Sequence, residues 1–179
     1  MNIYAEGTFT GKPAISTATE LAKAEYVSAH EFAPTKEGFG AANIALAEYI
    51  AQHYSHLPIF AAQRIAGALK EVAPEIEIAG EFRLDSSDST ASQGGTWAEF
   101  EQVKSLNPDN WENPLLIAQR HHVGRVAMQA RRFGMTPAVP GGLPDMFDPS
   151  SEQWWCRNPV AWAVREIPGV PVLRLRGQL

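Results

Sequence analysis

Short apolar segments alternate with longer amphipathic segments along most of the chain, from about residue 25 onward. The apolar segments have strand length, whereas the longer ones repeat their apolar residues at helical spacing. Strands that alternate with helices indicate a parallel sheet with right-handed crossovers. The predicted strands are residues 25–31, 57–62, 76–82, 115–118 and 136–139, with 170–175 as a final strand, and the predicted helices are residues 41–53, 64–72, 96–106, 122–134 and 158–167.

This order of elements predicts an α/β protein with a three-layer Rossmann-like architecture, a mostly parallel sheet of about five strands with helices on both faces. With a strand order of 3-2-1-4-5, the first and fourth strands are neighbours across the point where the order reverses. Residues 1–179 are predicted to form a single domain, with a core at 25–167 and an N-terminal extension at 1–24. In the extension, the pattern indicates an edge strand at 3–9 and a short helix capped by Ser16 or Thr17.

The segment at residues 114–134 is the most informative part of the chain, because a buried strand there leads directly into a helix. The apolar run stops at Gln119-Arg120-His121-His122, and apolar residues at helical spacing follow until about Gly134. Ligands of open α/β sheets bind at the carboxyl ends of strands, and the free N–H groups of a helix N-terminus favour anions. This turn is therefore a predicted ligand site.

His122 and Arg125 lie three residues apart at this helix N-terminus, so both can share one face of the helix. Together with the helix dipole they can hold a phosphate or a carboxylate. The alternative is structural, with His122 capping the turn and Arg125 pairing with Glu166 to hold the C-terminal helix. The sequence leaves both interpretations open. A metal site at His121-His122 is disfavoured, because adjacent helical residues point about 100° apart.

His30 and Glu31 end the first predicted strand, where His30 would face His122 across the crevice. Because imidazole titrates near neutral pH, His30 is the candidate acid–base residue, although a hydrogen bond to a loop carbonyl is the favoured alternative. Thr96-Trp97-Ala98-Glu99 has the capping-box pattern that opens a helix. No lysine follows Gly94-Gly95, so a tight turn is favoured there over a phosphate-binding loop.

Composition limits the classes of function. The hydrophobic fraction of 45% and the charged fraction of 20% are ordinary for a globular chain, so a packed core is expected. The net charge of −5 argues against broad attraction to nucleic acid or anionic membranes. Without a signal-peptide pattern or an apolar run of about 20 residues, a soluble, cytoplasmic protein is predicted. The single cysteine, Cys156, follows two tryptophans, which indicates a packed thiol rather than a nucleophile.

Three features of the chain resemble those of the SanA/YdcF/ElyC-like family of domains of unknown function. They are a polar loop at 85–96 after the third strand, His122-x-x-Arg125 after the fourth strand and Arg165-Glu166 in the last helix. The similarity covers roughly residues 25–167 and implies a Rossmann-like fold. Binding of an adenosyl compound has been proposed for one branch of that family. The chain departs from the family pattern at 61–63 and at Ala118-Gln119, where the family has Ser-Gly-Gly and Thr-Ser.

The leading hypothesis for function is the binding of a small anionic or nucleotide-like molecule at the C-terminal edge of the sheet. Arg125 and His122 would hold the negative group, Glu166 would orient Arg125, and His30 would serve as the acid–base residue. Further hydrogen bonds would come from Ser89, Thr90, Thr96 and Gln119. The sequence indicates no particular cofactor, and neither nucleic acid nor a membrane is a predicted partner.

Two other functions stay open at this point. The first is a non-catalytic interaction or regulatory protein with a vestigial crevice, favoured by the altered turns at 61–63 and 118–119, whose contact surface would include Trp154-Trp155. The second is a metal-assisted hydrolase that uses Asp85, Asp88 and His121. Two aspartates in a serine-rich loop are more often solvated turn residues, so this function is the least favoured.

Overall fold

A computed structural model describes residues 15–83, 95–107 and 109–175 of the chain. The helices and strands within these ranges are α1 (Ala18–Leu21), β1 (Tyr26–Ala29), α2 (Ala41–His53), β2 (Ile59–Ala62), α3 (Gln63–Val72), β3 (Ile78–Phe82), α4 (Thr96–Leu106), β4 (Pro114–Ile117), α5 (Val123–Arg132), a 3-10 turn (Trp154–Cys156) and α6 (Pro159–Leu175). From β1 to α5, strands and helices follow one another in the alternating order that the sequence predicts.

The strands form one parallel sheet in the order β3-β2-β1-β4. β1 lies between β2 and β4, with Ser28 opposite Phe60 on one side and Leu116 on the other. Every residue of β1, β2 and β4 is buried. Strands of a parallel sheet face helices on both sides, which explains why these strands are almost entirely apolar, with Ser28 of β1 as the polar exception. The structure confirms the predicted α/β class and the strand order 3-2-1-4.

The sheet has four strands within the described residues, rather than the predicted five. The predicted strand at 136–139 is reduced to a single parallel bridge between Ala138 and Leu115 of β4. Ala138 N–H donates to the Pro114 carbonyl, and the Ala138 carbonyl accepts from Leu116 N–H. Pro137 and Pro140 flank this bridge and have no N–H to donate. The segment therefore lacks the donors that a longer ladder needs.

Helices cover both faces of the sheet and complete the three predicted layers. α2 packs against α3, and α4 packs against α5. The chain steps from β1 to β3 and then returns to β4 on the other side of β1, so right-handed crossovers place the two helix pairs on opposite faces. Each crossover helix starts at the carboxyl edge of the preceding strand. The N-termini of α4 and α5 therefore lie at the same edge of the sheet.

Two helix ends follow their local sequence signals. Thr17 caps α1 in a reciprocal capping box, in which the Thr17 hydroxyl accepts from Glu20 N–H and the Glu20 carboxylate accepts from Thr17 N–H at 2.7 Å. α5 is followed by its C-cap residue Phe133 and then by Gly134, which has a φ of +81°. Met135 N–H donates to Ala130 O there, as in a Schellman motif. The predicted edge strand at 3–9 lies outside the described residues.

The C-terminal segment was predicted wrongly as a helix at 158–167 followed by a strand at 170–175. The structure has one continuous helix, α6, over Pro159–Leu175. Pro168 and Pro171 disfavour a continuous helix locally, because proline removes a helical N–H and crowds the preceding turn. α6 packs against the 3-10 turn and buries Trp162 and Glu166, and such tertiary packing outweighs local propensity. No helix in the described ranges, α6 included, is long and apolar enough to cross a bilayer.

Candidate functional site

Six polar side chains meet at the carboxyl edge of the sheet, and we call them the histidine–arginine cluster. They come from four separate parts of the chain: the residue after β1, the first turn of α4, the start of α5, and α6. Five of them are 5% exposed or less, and the arginine side chain is 13% exposed. The members are His30, Thr96, Glu99, His122, Arg125 and Glu166. All but Glu99 are predicted site residues.

His122 connects Arg125 to Thr96 through its two ring nitrogens. Arg125 Nη2 donates to His122 Nδ1 at 3.1 Å, and His122 Nε2 lies 3.3 Å from Thr96 Oγ1. Burial and the neighbouring guanidinium of Arg125 hold the pKa of His122 well below its usual range, so the ring is neutral. Since Nδ1 accepts from Arg125, the ring proton is on Nε2 and is donated to Thr96. The Thr96 hydroxyl proton is then available to another acceptor.

Arg125 also faces Glu166, as the structural alternative for this arginine predicts. Arg125 Nε lies 3.6 Å from Glu166 Oε1, and Arg165 Nη1 donates to the same oxygen at 3.1 Å. Burial lowers the pKa of Arg125, and the Glu166 carboxylate opposes that shift. Arg125 Nε has no hydrogen-bond partner among the described residues. Two guanidinium groups thus share one buried carboxylate.

His30 forms hydrogen bonds on both sides, but to partners that the sequence did not indicate. Its Nδ1 donates to Glu99 Oε2 at 2.7 Å, and its Nε2 lies 2.9 Å from Ser28 Oγ. Neither Glu31 nor a loop carbonyl bonds to the ring in the described structure. Ser28 and His30 are both 0% exposed. A substrate therefore cannot reach this serine, although Ser, His and Glu are joined in the order of a catalytic triad.

The predicted capping box at the start of α4, with Thr96 as the N-cap and Glu99 as its partner, is wrong. The N-cap is Gly95 and α4 begins at Thr96, without a side-chain cap. The side chains of Thr96 and Glu99 point into the cluster instead, where they bond to His122 and His30. Both side chains are therefore used for tertiary contacts with buried histidines rather than for capping α4. One oxygen of Glu99, Oε1, has no partner among the described residues.

Gln119 is buried beside the cluster, and its side-chain amide forms hydrogen bonds with the loop that follows β4. Its Oε1 accepts from His121 N–H at 2.7 Å, and its Nε2 lies 3.3 Å from Asp145 Oδ1. His121 Nε2 lies 2.9 Å from the same carboxylate. Asp145 belongs to a glycine- and proline-rich loop at residues 140–148 and thus ties this loop to the turn after β4, a role that sequence reasoning missed.

Ser89 and Thr90 lie outside the described residues, so the structure places neither of these predicted donors. The same holds for Asp85 and Asp88, the aspartates of the metal hypothesis. Within the described ranges, no group of three His, Cys, Asp or Glu side chains is arranged to hold a metal ion.

A cleft of about 650 Å³ opens beside the cluster, next to the ends of β1 and β2, and we call it the Glu31 cleft. Three segments border it: the loop after β1, the start of α3, and the 3-10 turn with the residues just before it. Sequence reasoning missed this cleft, because its walls are far apart along the chain. The lining residues used below are Glu31, Phe39, Arg64, Glu152, Gln153 and Trp155.

Glu31 is the buried acid of this cleft. Arg64 Nη1 donates to its Oε1 at 3.2 Å, and Arg64 Nη2 donates to the Thr35 carbonyl. Burial raises the pKa of Glu31 to about 7, repulsion from Glu99 adds to the rise, and Arg64 opposes it. The guanidinium therefore does not fully compensate the buried carboxylate.

The aromatic residues near α6 pack around Arg125. Trp162 is 5% exposed, and the Arg125 guanidinium lies 5.7 Å from its ring centroid. Phe32 contacts the same indole edge-on at 5.1 Å. Cys156 is buried in this group, and burial raises the pKa of its thiol to about 12. This supports the predicted packed thiol rather than a nucleophile.

Comparison of the chain with protein-family models, with curated proteins and with solved structures finds no match. The resemblance to the SanA/YdcF/ElyC-like family therefore stays a prediction.

Proposed function

We propose that the protein binds a small anionic or nucleotide-like ligand at the carboxyl edge of its sheet, with the histidine–arginine cluster holding the negative group. The observation that carries this proposal is the convergence of Arg125 and Arg165 on one oxygen of Glu166. Arg125 Nε lies 3.6 Å from that oxygen, which is beyond hydrogen-bond distance, so Glu166 leaves the Arg125 guanidinium incompletely paired. Arg125 Nε is a buried donor without a partner among the described residues, and a ligand oxygen would satisfy it.

Each cluster member has a role in this proposal. Glu166 orients Arg125. Neutral His122 donates a hydrogen bond from its ring N–H to the Thr96 oxygen, so the Thr96 hydroxyl is free to donate to a ligand. The N-termini of α4 and α5 reach the same edge, and their N–H groups and dipoles favour an anion. Ser89 and Thr90, which follow β3 in sequence, add hydroxyl donors in this proposal.

His30 and Gln119 act indirectly in this proposal. His30 is enclosed by Ser28 and Glu99, so it holds α4 in place rather than transferring a proton to a bound molecule. Gln119 fixes the turn after β4. The proposal is accordingly one of binding, with no reaction assigned.

The test is a thermal-shift screen with inorganic phosphate, nucleotides, adenosyl compounds and sugar phosphates, followed by calorimetry of each hit. A ligand at 100 times its Kd should stabilise the protein by about 2.7 kcal/mol. Arg125→Ala should lose this stabilisation, and Arg125→Lys should keep only part of it, because lysine lacks the planar fork. Arg131→Ala, an exposed position on the same helix, is the matched control. Equal affinity for Arg125→Ala and wild type contradicts the assignment.

A non-catalytic interaction protein is the second candidate, and one observation favours it. Trp154 is 49% exposed and stacks edge-on with Trp155 at 5.8 Å. Exposed tryptophans are common anchors of protein interfaces. This candidate predicts that no compound in the screen stabilises the wild type, and that Trp154→Ser weakens self-association or partner binding measured by light scattering.

A further inference from the structure

The Glu31 cleft has the size of a small-molecule site and a polar floor. Its volume of about 650 Å³ falls in the range of ligand pockets, roughly 300–1,000 Å³. Glu152 N–H donates to the Pro34 carbonyl at 2.8 Å, which holds the Glu152 segment against the loop after β1. The Arg64–Glu31 pair forms the inner end. The cleft is therefore built by tertiary contacts rather than left between unconnected loops.

The charges that line the cleft favour a cation. Two lining residues, Glu31 and Glu152, are carboxylates, and one, Arg64, is a cation. Glu31 is further repelled by Glu99, which lies in the neighbouring cluster. A second positive group near Glu31 would relieve both the repulsion and the cost of burial.

The aromatic walls suit an apolar or aromatic body attached to such a cation. Phe39 and Trp155 both line the cleft. The Arg165 guanidinium lies 5.6 Å from the Trp155 ring centroid, so this indole already has one cation on its face. The Phe39 ring packs directly against Gly67, because a Cβ added at Gly67 would lie only 2.3 Å from the ring.

We propose that the Glu31 cleft binds an organic cation, namely an ammonium group attached to a small apolar or aromatic body. The ammonium group is held by Glu31, with Glu152 nearby, and the body lies against Phe39 and Trp155. This site is separate from the anion site at Arg125, because its charged lining residues are Glu31, Arg64 and Glu152. Either proposal can fail without the other.

Three probes that share a phenyl ring but differ in charge test this proposal: the cation benzylammonium, the neutral benzyl alcohol and the anion benzoate. Calorimetry should give the tightest binding for benzylammonium, with a Kd of about 1 mM or lower, then benzyl alcohol, then benzoate. Glu31→Gln should weaken benzylammonium about tenfold and leave benzyl alcohol nearly unchanged. Trp155→Ala should weaken it about threefold to tenfold. Glu75→Gln, an exposed acid after α3, is the control and should change nothing.

The pH dependence gives a second measurement. The charged groups that act on Glu31 are Arg64 from α3 and Glu99 from α4, and Glu152, from the loop before the 3-10 turn, lines the same cleft. Because the pKa of Glu31 is raised to about 7, benzylammonium affinity should rise as pH increases from about 6 to about 8, and Glu31→Gln should abolish that rise. Equal affinity for the three probes, tighter binding of benzoate, or no benzylammonium binding at about 10 mM each overturns the proposal.

Discussion

Replacing Glu31 by glutamine should change how the stability of the protein depends on pH. Burial raises the pKa of Glu31 from 4.5 to about 7 in the folded state, whereas the unfolded chain titrates near the ordinary value. Between these two values the folded protein holds a proton that the unfolded chain has released. The free energy of unfolding therefore falls as pH rises from about 4.5 to about 7. At about 1.4 kcal/mol per pH unit, the loss amounts to about 3 kcal/mol.

Glutamine has the shape of the protonated acid and still accepts from Arg64, but it has no proton to lose. Urea unfolding of wild type and Glu31→Gln should be measured at several pH values from about 4.5 to about 8. The variant should gain about 3 kcal/mol relative to the wild type across this range, with the whole gain appearing as Glu31 ionises. Glu75→Gln serves as the control, since Glu75 is exposed and its difference from wild type should stay constant.

Parallel stability curves for wild type and Glu31→Gln would refute this reasoning. They would mean that Glu31 ionises in the folded protein as it does in the unfolded chain. The carboxylate would then be hydrated or fully compensated by Arg64, and its burial would have no energetic consequence.

Three further predictions concern packing and the backbone. Gly134→Ala should lower the free energy of unfolding by about 1 kcal/mol, because φ of +81° strains alanine although the space is open, and an unchanged urea midpoint would contradict this. Leu116 in β4 is fully buried, so Leu116→Ala should lower the free energy of unfolding by about 2–5 kcal/mol, whereas Val160 in α6 is 72% exposed, so Val160→Ala should change it by no more than about 0.5 kcal/mol in the same assay. Cys156 is 1% exposed and its pKa is raised to about 12, so iodoacetamide should label it only on unfolding, and rapid labelling of the native protein would disprove this.

The fold class and the meeting of distant polar residues could be predicted from the sequence. The apolar run that becomes β4 is short and ends abruptly, and such a run between helical patterns indicates a buried parallel strand. Parallel strands share one carboxyl edge, so placing His30 and His122 after neighbouring strands was enough to expect them close together. Both now belong to one hydrogen-bonded cluster through the first turn of α4.

Other features depended on tertiary contacts that no local pattern reveals. Glu99 has the spacing of a capping residue, yet its carboxylate bonds to His30 from another part of the chain. α6 continues through Pro168 and Pro171, where local propensity predicts a break. The Glu31 cleft joins Glu31 to Trp155, and nothing near either residue in the sequence indicates the other.

The sharing of Glu166 by two arginines makes the two ends of the described chain depend on each other. Arg125 is a buried cation that reaches its counter-ion only when α6 is docked, and removing one partner of such a pair costs about 3–5 kcal/mol. Arg125 is also hydrogen-bonded to His122, which bonds to Thr96 of α4. In the same helix, Glu99 bonds to His30, the residue after β1. Detaching the last helix therefore loosens the first strand's surroundings as well, so both should lose amide-exchange protection together rather than fray independently.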